Sequence, residues 1–418
     1  MIQLPPSKSI GARFLVGTYF AGTLPADPFF EDNDDLMVMQ QALLEILSDE
    51  EPIDYGDSQI DAGASGTALR FVTAVCASSP GADYIITGTP RLMKRPMAPM
   101  LDLLREAGAE IQCLGEDETG PYRVKGGKLE GGTFSIRGDI SSQFISALML
   151  VAPTWEKGLK LNFTTPLVSR PYVEMTAQLM EAFSLKTELT DFGVTVAPGE
   201  YRQPKDFRVE ADWSSASFFY ETCALGAKDV VLENLVSPSL SWQGDKATAD
   251  IFGRIGVQSQ FTKEGANLTF SGKYPPHIEI NFNDFPDLLL PYAVSCLCLG
   301  VKFRFTGAAH LRHKESDRLA SLQKEALKLG FKVKDGDDFL EWDGEMATAD
   351  PDPLISTYDD HRVAMSFAPV ALKTGRIRIE HPEVVAKSFV DFWNQAEKAG
   401  LECKSEGNVM IVTKKTEG

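Results

Sequence analysis

The sequence is short of positive charge and of long apolar stretches. Its 418 residues carry a formal net charge of −18. Binding to a phosphate backbone needs a basic face, so we expect no nucleic-acid partner and no membrane partner. The longest apolar run, residues 288–301, contains Pro291 and Ser295. It is shorter than the roughly 18–20 residues that span a bilayer, and it therefore predicts a buried helix.

Cysteine and histidine are also scarce, with six and five residues, and no C-x-x-C pair occurs. A disulfide framework or a zinc site is therefore not expected. His310 and His313 lack further nitrogen or sulfur ligands nearby, so we predict no metal and no cofactor. The start of the chain lacks the basic, apolar, small-residue progression of a secretory signal. We expect a cytoplasmic protein that acts as a monomer.

In place of these features the sequence has a sixfold repeat. A loop of small or polar residues leads into an apolar helix six times, and the starts are separated by 56, 76, 73, 72 and 75 residues. The starts are Ser7, Gly63, Asp139, Asp212, Asp284 and Asp359. Such near-constant spacing indicates duplication, although an ordinary α/β chain with helices at chance spacing stays an alternative.

A second helix with a charged entry follows each of these starts. The entries are Asp34, Arg95, Arg170, Asp245, Glu315 and Lys387. Apolar residues then recur at three- and four-residue spacing, and short β-rich runs such as DYIITG and VKFRFTG separate the helices. We therefore predict six βαβα-type units, three in each of two domains, with the divide near residues 208–217.

Two groups of residues in the first half of the chain favour a phosphate ligand. Lys8, Ser9 and Arg13 open the first helix, where unpaired backbone N–H groups and the helix dipole attract anions. A capped helix with solvated cations is the alternative. The glycine-rich residues 63–67 allow a ligand close to the backbone but lack the G-K-[ST] ending of a nucleotide loop, which disfavours ATP and NAD. The pairs Ser141-Ser142 and Ser214-Ser215 are also helix starts, and for the second pair capping is the favoured interpretation.

Charge is dense at three helix starts in the second half. Lys314 and Arg318 are four residues apart, so we predict that they share a helix face and reach one anion. Residues 360–362 (DHR) and Lys387 repeat this pattern in later units. Surface charge runs are usually solvated, which is the alternative here.

Nine short motifs occur in a fixed order across nearly the whole chain: SKS-x-x-x-R, SGTALR, KRP, SSQF, SRPY, FPD, LRHKESDRL, DDHR and AKSF. In this order they resemble the 5-enolpyruvylshikimate-3-phosphate synthase family. The resemblance implies transfer of the enolpyruvyl group of phosphoenolpyruvate to the 5-hydroxyl of shikimate 3-phosphate, with release of phosphate. Both substrates are small molecules, and no cofactor is implied.

The resemblance also implies an α/β (α+β) fold, the enolpyruvyl transferase fold, which is inverse α/β barrel-like. It has two similar domains, each of three βαβαββ units. We expect residues 1–6 and 211–418 in one domain and residues 7–210 in the other. The substrate cleft is expected between the domains, which would close when the substrates bind.

Site residues follow from the same resemblance. Those implied for shikimate 3-phosphate are Lys8, Ser9, Arg13, Ser141, Ser142, Gln143, Ser169, Tyr172, Asp287 and Lys314. Those implied for phosphoenolpyruvate are Lys8, Gly66, Arg95, Gln143, Arg318, Arg362 and Lys387. Asp287 would be the base and Glu315 the proton donor, a role that Lys314 or Lys387 could share, while Lys8 and Lys387 would stabilise charge. The sequence departs from the family pattern at five positions, Ala12, Ala64, Phe71, Arg170 and His310. None of these departures removes a charged group.

Two alternatives to this function stay open. The related UDP-N-acetylglucosamine enolpyruvyl transferase generally uses a cysteine shortly before an Arg-Pro pair, but residues 89–94 contain none. A non-catalytic phosphometabolite-binding protein of the same fold would be expected to lose catalytic groups. Asp287, Glu315 and Lys387 are all present.

Overall fold

The computed structural model describes residues 1–48 and 58–415, which fall into two compact units. One unit consists of Met1–Ser7 and Glu210–Gly418, and the other of Lys8–Val209. The chain therefore passes between the units twice. In the part of the chain that is described, no helix is both long and apolar enough to cross a membrane.

Five four-stranded sheets repeat one pattern. In chain order, the first strand pairs in parallel with the second, and the second pairs antiparallel with the fourth, which forms a hairpin with the third at the sheet edge. A parallel pair needs a crossover connection, and a buried helix supplies it. In the sheet that begins with Ile2–Gln3, the chain segment that connects the first two strands also contains the whole Lys8–Val209 unit.

The strands of each sheet lie side by side in a fixed order. In the Lys8–Val209 unit this order is Gln59–Asp61, Asp83–Thr87, Tyr122–Lys125 and Glu110–Cys113, then Gly132–Ile136, Leu159–Phe163, Gly193–Val196 and Thr187–Leu189. In the other unit it is Ile2–Gln3, Val230–Glu233, Gly265–Phe270 and Val257–Phe261, then His277–Asn281, Lys302–Thr306, Phe339–Trp342 and Lys334–Gly336, then Leu354–Ile355, Arg376–Glu380, Val409–Lys414 and Leu401–Glu406.

The first helix of each repeat is buried almost all round. In the Trp213–Gly226 helix, 13 of the 14 residues are buried, and Leu289–Leu299 confirms the buried helix predicted for residues 288–301. These inner helices contact one another within their own unit. They are Lys8–Phe20, Gly66–Ala77 and Ser142–Val151 in one unit, and Trp213–Gly226, Leu289–Leu299 and His361–Phe367 in the other.

The second helix of each repeat is amphipathic, as the three- and four-residue spacing predicted. These helices are Asp34–Ser48, Ala98–Glu106 and Arg170–Ala182, then Thr248–Arg254, Arg318–Lys328 and Phe392–Lys398. Short helices complete the fold: Pro90–Met93 and Ala371–Thr374, with 3-10 turns at Ala152–Thr154, Gly244–Ala247, Pro286–Leu288, Ala309–His313, Ala368–Val370 and Pro382–Lys387.

Sheets cover the buried helices in both units. Burial alternates along strands such as Leu159–Phe163 and His277–Asn281, so one face packs on the helices and the other faces solvent. Helices inside and sheets outside form the inverse α/β barrel-like fold that the sequence predicted.

The first repeat of the chain differs from the prediction. Its two helices, Lys8–Phe20 and Asp34–Ser48, are present, but residues 8–48 contain no strand. The connecting residues 21–33 contain Pro25 and Pro28, which cannot donate to a sheet. Within the described residues, five of the six predicted units therefore have a full sheet.

Side-chain caps fix where several helices begin. The oxygens of Ser65, Ser141, Asp317 and Asp360 each accept a bond from a backbone N–H in the first turn. The predicted cap at Ser214-Ser215 is instead Asp212, whose carboxylate accepts from Ser215 N and Oγ at 3.1 and 2.8 Å. The negative charge of the Asp212 carboxylate also complements the helix dipole.

Glu221 lies within the buried Trp213–Gly226 helix and is 0% exposed. Neither carboxylate oxygen has a hydrogen-bond partner among the described residues. Burial raises the pKa of Glu221 well above its usual value, because the charged form is poorly solvated there. The free energy of unfolding is therefore highest, as far as Glu221 is concerned, below the unfolded pKa of about 4.3. It falls as the pH rises through the folded pKa, because the unfolded chain ionises this carboxyl more easily.

We expect Glu221→Met to stabilise the protein at pH 8 by about 1–3 kcal/mol, the cost of an unsatisfied buried polar group. The gain should shrink at pH 5, where less free energy is needed to protonate the wild-type carboxyl. Thermal unfolding at the two pH values measures this, and an equal gain at both would contradict the raised pKa.

Candidate active site

Lys8 begins the Lys8–Phe20 helix, and its charge is held by Asp35. The Nζ of Lys8 lies 3.1 Å from Asp35 Oδ2, with side-chain exposures of 17% and 9%. Asp35 is in the first turn of the Asp34–Ser48 helix. Asp35 was not predicted as a site residue, because an acidic residue at a helix start is common and has no special signal.

Arg13 lies one turn further along the same helix and is 2% exposed. Its guanidinium donates to Ser9 O and Thr176 Oγ1 at 2.7 Å, to Ser146 Oγ at 3.0 Å and to Tyr172 O at 3.2 Å. Burial lowers the pKa of Arg13 to about 10, so the group keeps its charge near neutral pH. Arg13 thus fixes Ser9 and Tyr172, two of the predicted site residues, relative to each other.

Two arginines meet the backbone at Gly66. A Cβ atom at Gly66 would lie 2.4 Å from Arg95 Nη1 and 2.7 Å from Arg70 Nη1. Arg70 Nη1 also donates to Gly66 O at 3.0 Å and to Gln143 Oε1 at 2.6 Å. The buried Nε of Arg95 has no hydrogen-bond partner in the described residues. Two cations beside neutral oxygens form a site suited to an anion.

Arg70 was not predicted as a site residue, although the motif SGTALR contains it. The signal was its position four residues after Gly66, which returns its side chain to the start of the helix. Arg70 also lies over the Phe144 ring at 5.3 Å.

Gln143 joins the starts of two buried helices. Its Nε2 donates to Thr67 Oγ1 at 3.0 Å, and its backbone N donates to the capping Ser141 Oγ at 3.3 Å. Ser142 is buried beside it. The predicted residues Gly66, Arg95, Ser141, Ser142 and Gln143 are therefore brought together at one end of the helices.

Ser169 and Tyr172 lie at the start of the Arg170–Ala182 helix. Ser169 has a left-handed backbone, with φ of 53°, and its side chain makes no capping bond. Its carbonyl accepts from Tyr172 N at 3.1 Å. Since Tyr172 O is also bound by Arg13, this helix start is tied to the Lys8–Phe20 helix.

In the other unit, Asp287 is surrounded by cations. Its Oδ1 lies 2.8 Å from Arg318 Nη1 and 3.8 Å from Lys314 Nζ, and its Oδ2 lies 2.9 Å from Arg362 Nη2. Burial alone would raise the pKa of Asp287, but Arg362, Lys314 and Arg318 outweigh it and hold the pKa far below its usual range. Asp287 is therefore ionised in this environment.

Arg318 is buried, with 2% exposure, between three carboxylates. Its Nε lies 2.8 Å from Asp360 Oδ2, its Nη1 2.8 Å from Asp287 and its Nη2 2.9 Å from Glu315 Oε2. Burial alone would lower the pKa of Arg318, but these carboxylates raise it. Arg318 connects the predicted base with the predicted proton donor.

Lys314 and Arg318 do not share a helix face, and this prediction was wrong. The carboxylate of Asp317 caps the helix, which therefore begins at Arg318, and Lys314 lies outside it after the Ala309–His313 turn. Both cations nevertheless reach one anion, Asp287 Oδ1.

Asp360 orients Arg362 as well as Arg318. It is 0% exposed and accepts from Ser316 Oγ and from the backbone N of Arg362, both at 3.0 Å. Asp360 was quoted in the motif DDHR without a role, since its side-chain partners Ser316 and Arg318 lie 44 and 42 residues away in the chain.

Glu315 and Lys387 complete the network of the second unit. Lys387 Nζ lies 3.8 Å from Glu315 Oε1, and the side chains are 12% and 15% exposed. Lys387 ends the Pro382–Lys387 turn. The predicted residues Asp287, Lys314, Glu315, Arg318, Arg362 and Lys387 therefore form one connected group of charges.

Two further titratable groups act on this network. Burial, assisted by Lys314, lowers the pKa of His310 to about 4, so the ring is neutral. Burial and the charge of Asp287 raise the pKa of Asp245 to about 7. No group of three His, Cys, Asp or Glu residues in the described ranges is placed to hold a metal ion.

A family model described as EPSP synthase (3-phosphoshikimate 1-carboxyvinyltransferase) matches residues 31–396. A 3-phosphoshikimate 1-carboxyvinyltransferase of Bacteroides fragilis is 40% identical over 406 residues, which cover 96% of each chain. The protein of that name from Methanocaldococcus jannaschii is 33% identical over 408 residues, 94% of each chain.

Solved structures support the same fold. An EPSP synthase from Acinetobacter baumannii superposes with a TM-score of 0.71, covering 97% of this chain and 98% of that chain. The two sequences are 24% identical, so this likeness shows the fold alone.

We expect Gly66→Ala to weaken the binding of an anion such as inorganic phosphate at this position by about tenfold or more, because the new Cβ displaces the Arg95 guanidinium and its charge-assisted bonds are lost. Calorimetric titration measures the affinity. Gly127→Ala in the same unit is the control, since nothing lies within 4 Å of a Cβ there. Equal affinities for the two variants would contradict the role of this backbone position.

Proposed function

The chain belongs to the EPSP synthase family, and from that membership we propose how its charged residues carry out the family's reaction. The activity is transfer of the enolpyruvyl (carboxyvinyl) group of phosphoenolpyruvate to the 5-hydroxyl of shikimate 3-phosphate, with release of phosphate, a step of the shikimate pathway. The observation that carries the proposal is the carboxylate of Asp287, held by Arg318, Arg362 and Lys314.

We assign phosphoenolpyruvate to the arginine-rich positions. The proposed ligands are Lys8, Gly66, Arg95 and Gln143, together with Arg318, Arg362 and Lys387. The phosphate and the carboxylate of this substrate both suit planar guanidinium groups, which pair with two oxygens at once. The assignment is supported by Arg70 and Arg95, whose guanidinium groups both lie close to the backbone at Gly66.

Shikimate 3-phosphate is assigned to the hydroxyl-rich helix starts. The proposed ligands are Lys8, Ser9, Arg13, Ser141, Ser142, Gln143, Ser169 and Tyr172, with Asp287 and Lys314 from the other unit. Hydroxyls and backbone N–H groups at helix starts suit the phosphate and the ring hydroxyls of this substrate. Arg13 is committed to four hydrogen bonds, which supports a role in orienting Ser9 and Tyr172.

We propose that Asp287 takes the proton of the 5-hydroxyl, whose oxygen then attacks C2 of phosphoenolpyruvate. With its pKa held far below the usual range, the carboxylate is a weak base on its own. Arg318 and Arg362, which hold it there, are also proposed ligands of phosphoenolpyruvate. When they pair with the substrate, less positive charge acts on Asp287, and its basicity rises.

The Glu315–Lys387 pair is our candidate for the second proton transfer. Addition gives the methylene carbon of phosphoenolpyruvate a proton, and elimination removes one from the resulting methyl group as phosphate leaves. Either transfer needs a group close to that carbon. Lys387 Nζ lies 3.8 Å from Glu315 Oε1, so its charge acts on that carboxylate, and Lys314 could assist from beside Asp287.

The alternatives have less support. The relatives at 40% and 33% identity bear the name of the shikimate enzyme. A non-catalytic binding protein would not need Asp287, Arg318, Glu315 and Lys387 in one connected network. The cytoplasmic location and the monomeric state stay predictions.

We expect phosphate release from phosphoenolpyruvate only when shikimate 3-phosphate is supplied, since the 5-hydroxyl must add before the phosphate can leave. A colorimetric phosphate assay with purified protein tests this. UDP-N-acetylglucosamine serves as the competing acceptor. Release with that acceptor, or with neither, would remove the proposed function.

Asp287→Asn should lower kcat by about a hundredfold, the usual contribution of a general base, because the amide cannot accept the hydroxyl proton. Binding of phosphoenolpyruvate should persist, as measured by equilibrium titration. Asp343→Asn, at a half-exposed aspartate of the same unit, should leave kcat unchanged. A kcat close to wild type in Asp287→Asn would exclude Asp287 as the base.

A further inference from the structure

The loop before the His361–Phe367 helix has an unusual backbone. Tyr358 and Asp359 have φ angles of 55° and 56°, so two consecutive residues with side chains are left-handed. Such conformations cost energy and persist where the surrounding structure holds them. Asp360 and Arg362, both in the charged network, follow immediately.

Glu325 holds this loop from the middle of the Arg318–Lys328 helix. It is 0% exposed; its Oε1 accepts from Tyr358 Oη at 2.6 Å and its Oε2 from Ser356 N at 3.0 Å. Lys328 Nζ balances the charge at 2.6 Å from Oε2 and donates to Leu354 O at 2.8 Å. Burial and the charge of Glu325 raise the pKa of Tyr358, so its hydroxyl remains a donor.

The helix therefore holds the loop at two points. Glu325 comes seven residues after Arg318, which is about two helical turns, so the two side chains lie on one face. Arg318 binds Asp360 at one end of the loop, and Glu325 binds Tyr358 and Ser356 at the other. The left-handed residues Tyr358 and Asp359 lie next to these contacts and turn the chain into the His361–Phe367 helix.

We infer that Glu325 is a positioning residue for phosphoenolpyruvate binding: through Tyr358 and Ser356 it keeps the loop in the conformation that directs Arg362. The inference rests on the proposed function, which assigns Arg362 to that substrate. Glu325 itself belongs to neither proposed ligand set. With its carboxylate replaced, the loop loses charged acceptors and is free to relax from its left-handed conformation.

Two variants test the inference by different routes. Glu325→Gln removes the charge and keeps the size, while Tyr358→Phe removes only the hydroxyl donor. In Glu325→Gln we expect the KM for phosphoenolpyruvate to rise about tenfold, the effect of losing a charge-assisted bond that orients a binding group. Tyr358→Phe should show a smaller rise of the same kind. The KM for shikimate 3-phosphate should change less in both.

The matched control is Glu221→Gln. It makes the same substitution at another glutamate that is 0% exposed in the same unit, on a helix that does not hold the loop. Its KM for phosphoenolpyruvate should equal that of the wild type. Arg362→Lys, measured in parallel, reports on the assignment of Arg362, and combining it with Glu325→Gln should add little further loss if Glu325 acts through Arg362.

The outcomes separate the inference from the function on which it rests. If Arg362→Lys raises the KM for phosphoenolpyruvate while Glu325→Gln and Tyr358→Phe fold and leave it unchanged, the positioning role is wrong. Equal rises for both substrates, with a lowered melting temperature, would mean a merely structural role and would overturn it too. If Arg362→Lys has no effect, the assignment of Arg362 fails, and the inference with it. Should Glu325→Gln fail to fold, Tyr358→Phe decides.

Discussion

The second unit depends on the burial of Arg318 between Asp287, Glu315 and Asp360. A guanidinium removed from water is costly unless its donors meet well-placed acceptors, and here Nε, Nη1 and Nη2 each meet a carboxylate. The three acceptors come from the Pro286–Leu288 turn, from the residues before the Arg318–Lys328 helix and from the cap of the His361–Phe367 helix. One side chain thus fixes three segments that carry the charged network.

The arginines of the candidate site have different partners in the two units. Arg13 donates to hydroxyl and carbonyl oxygens, and Arg70 to a carbonyl and an amide oxygen. Arg318 and Arg362 are paired with carboxylates instead. An anion that approaches Arg318 or Arg362 must compete with Asp287 for the guanidinium groups. That competition links substrate binding to the basicity of the carboxylate, because both draw on the same guanidinium groups.

Much of the fold could be predicted because each repeat carries local signals. The apolar run of residues 288–301 predicted a buried helix, and the β-rich run VKFRFTG predicted the strand Lys302–Thr306. The predictions were wrong where a helix cap or a proline changed the structure that the spacing of residues suggested. Four-residue spacing suggested a helix through Lys314 and Arg318, but the Asp317 cap delays its start. The first repeat has helical periodicity, yet prolines occupy its connection and leave residues 8–48 without a strand.

By itself the sequence determined the residue types of the candidate site and the helix starts that carry them, since both depend on a few neighbouring residues. Only the tertiary structure decided the partners. Arg318 meets Asp360 from 42 residues away, Arg70 meets Gln143 from 73, and Arg13 meets Ser146 from 133. Such contacts follow from the packing of buried helices, which no local pattern encodes. For the same reason Asp35, Arg70, Asp360 and Glu325 acquired roles only when the folded chain showed what they touch.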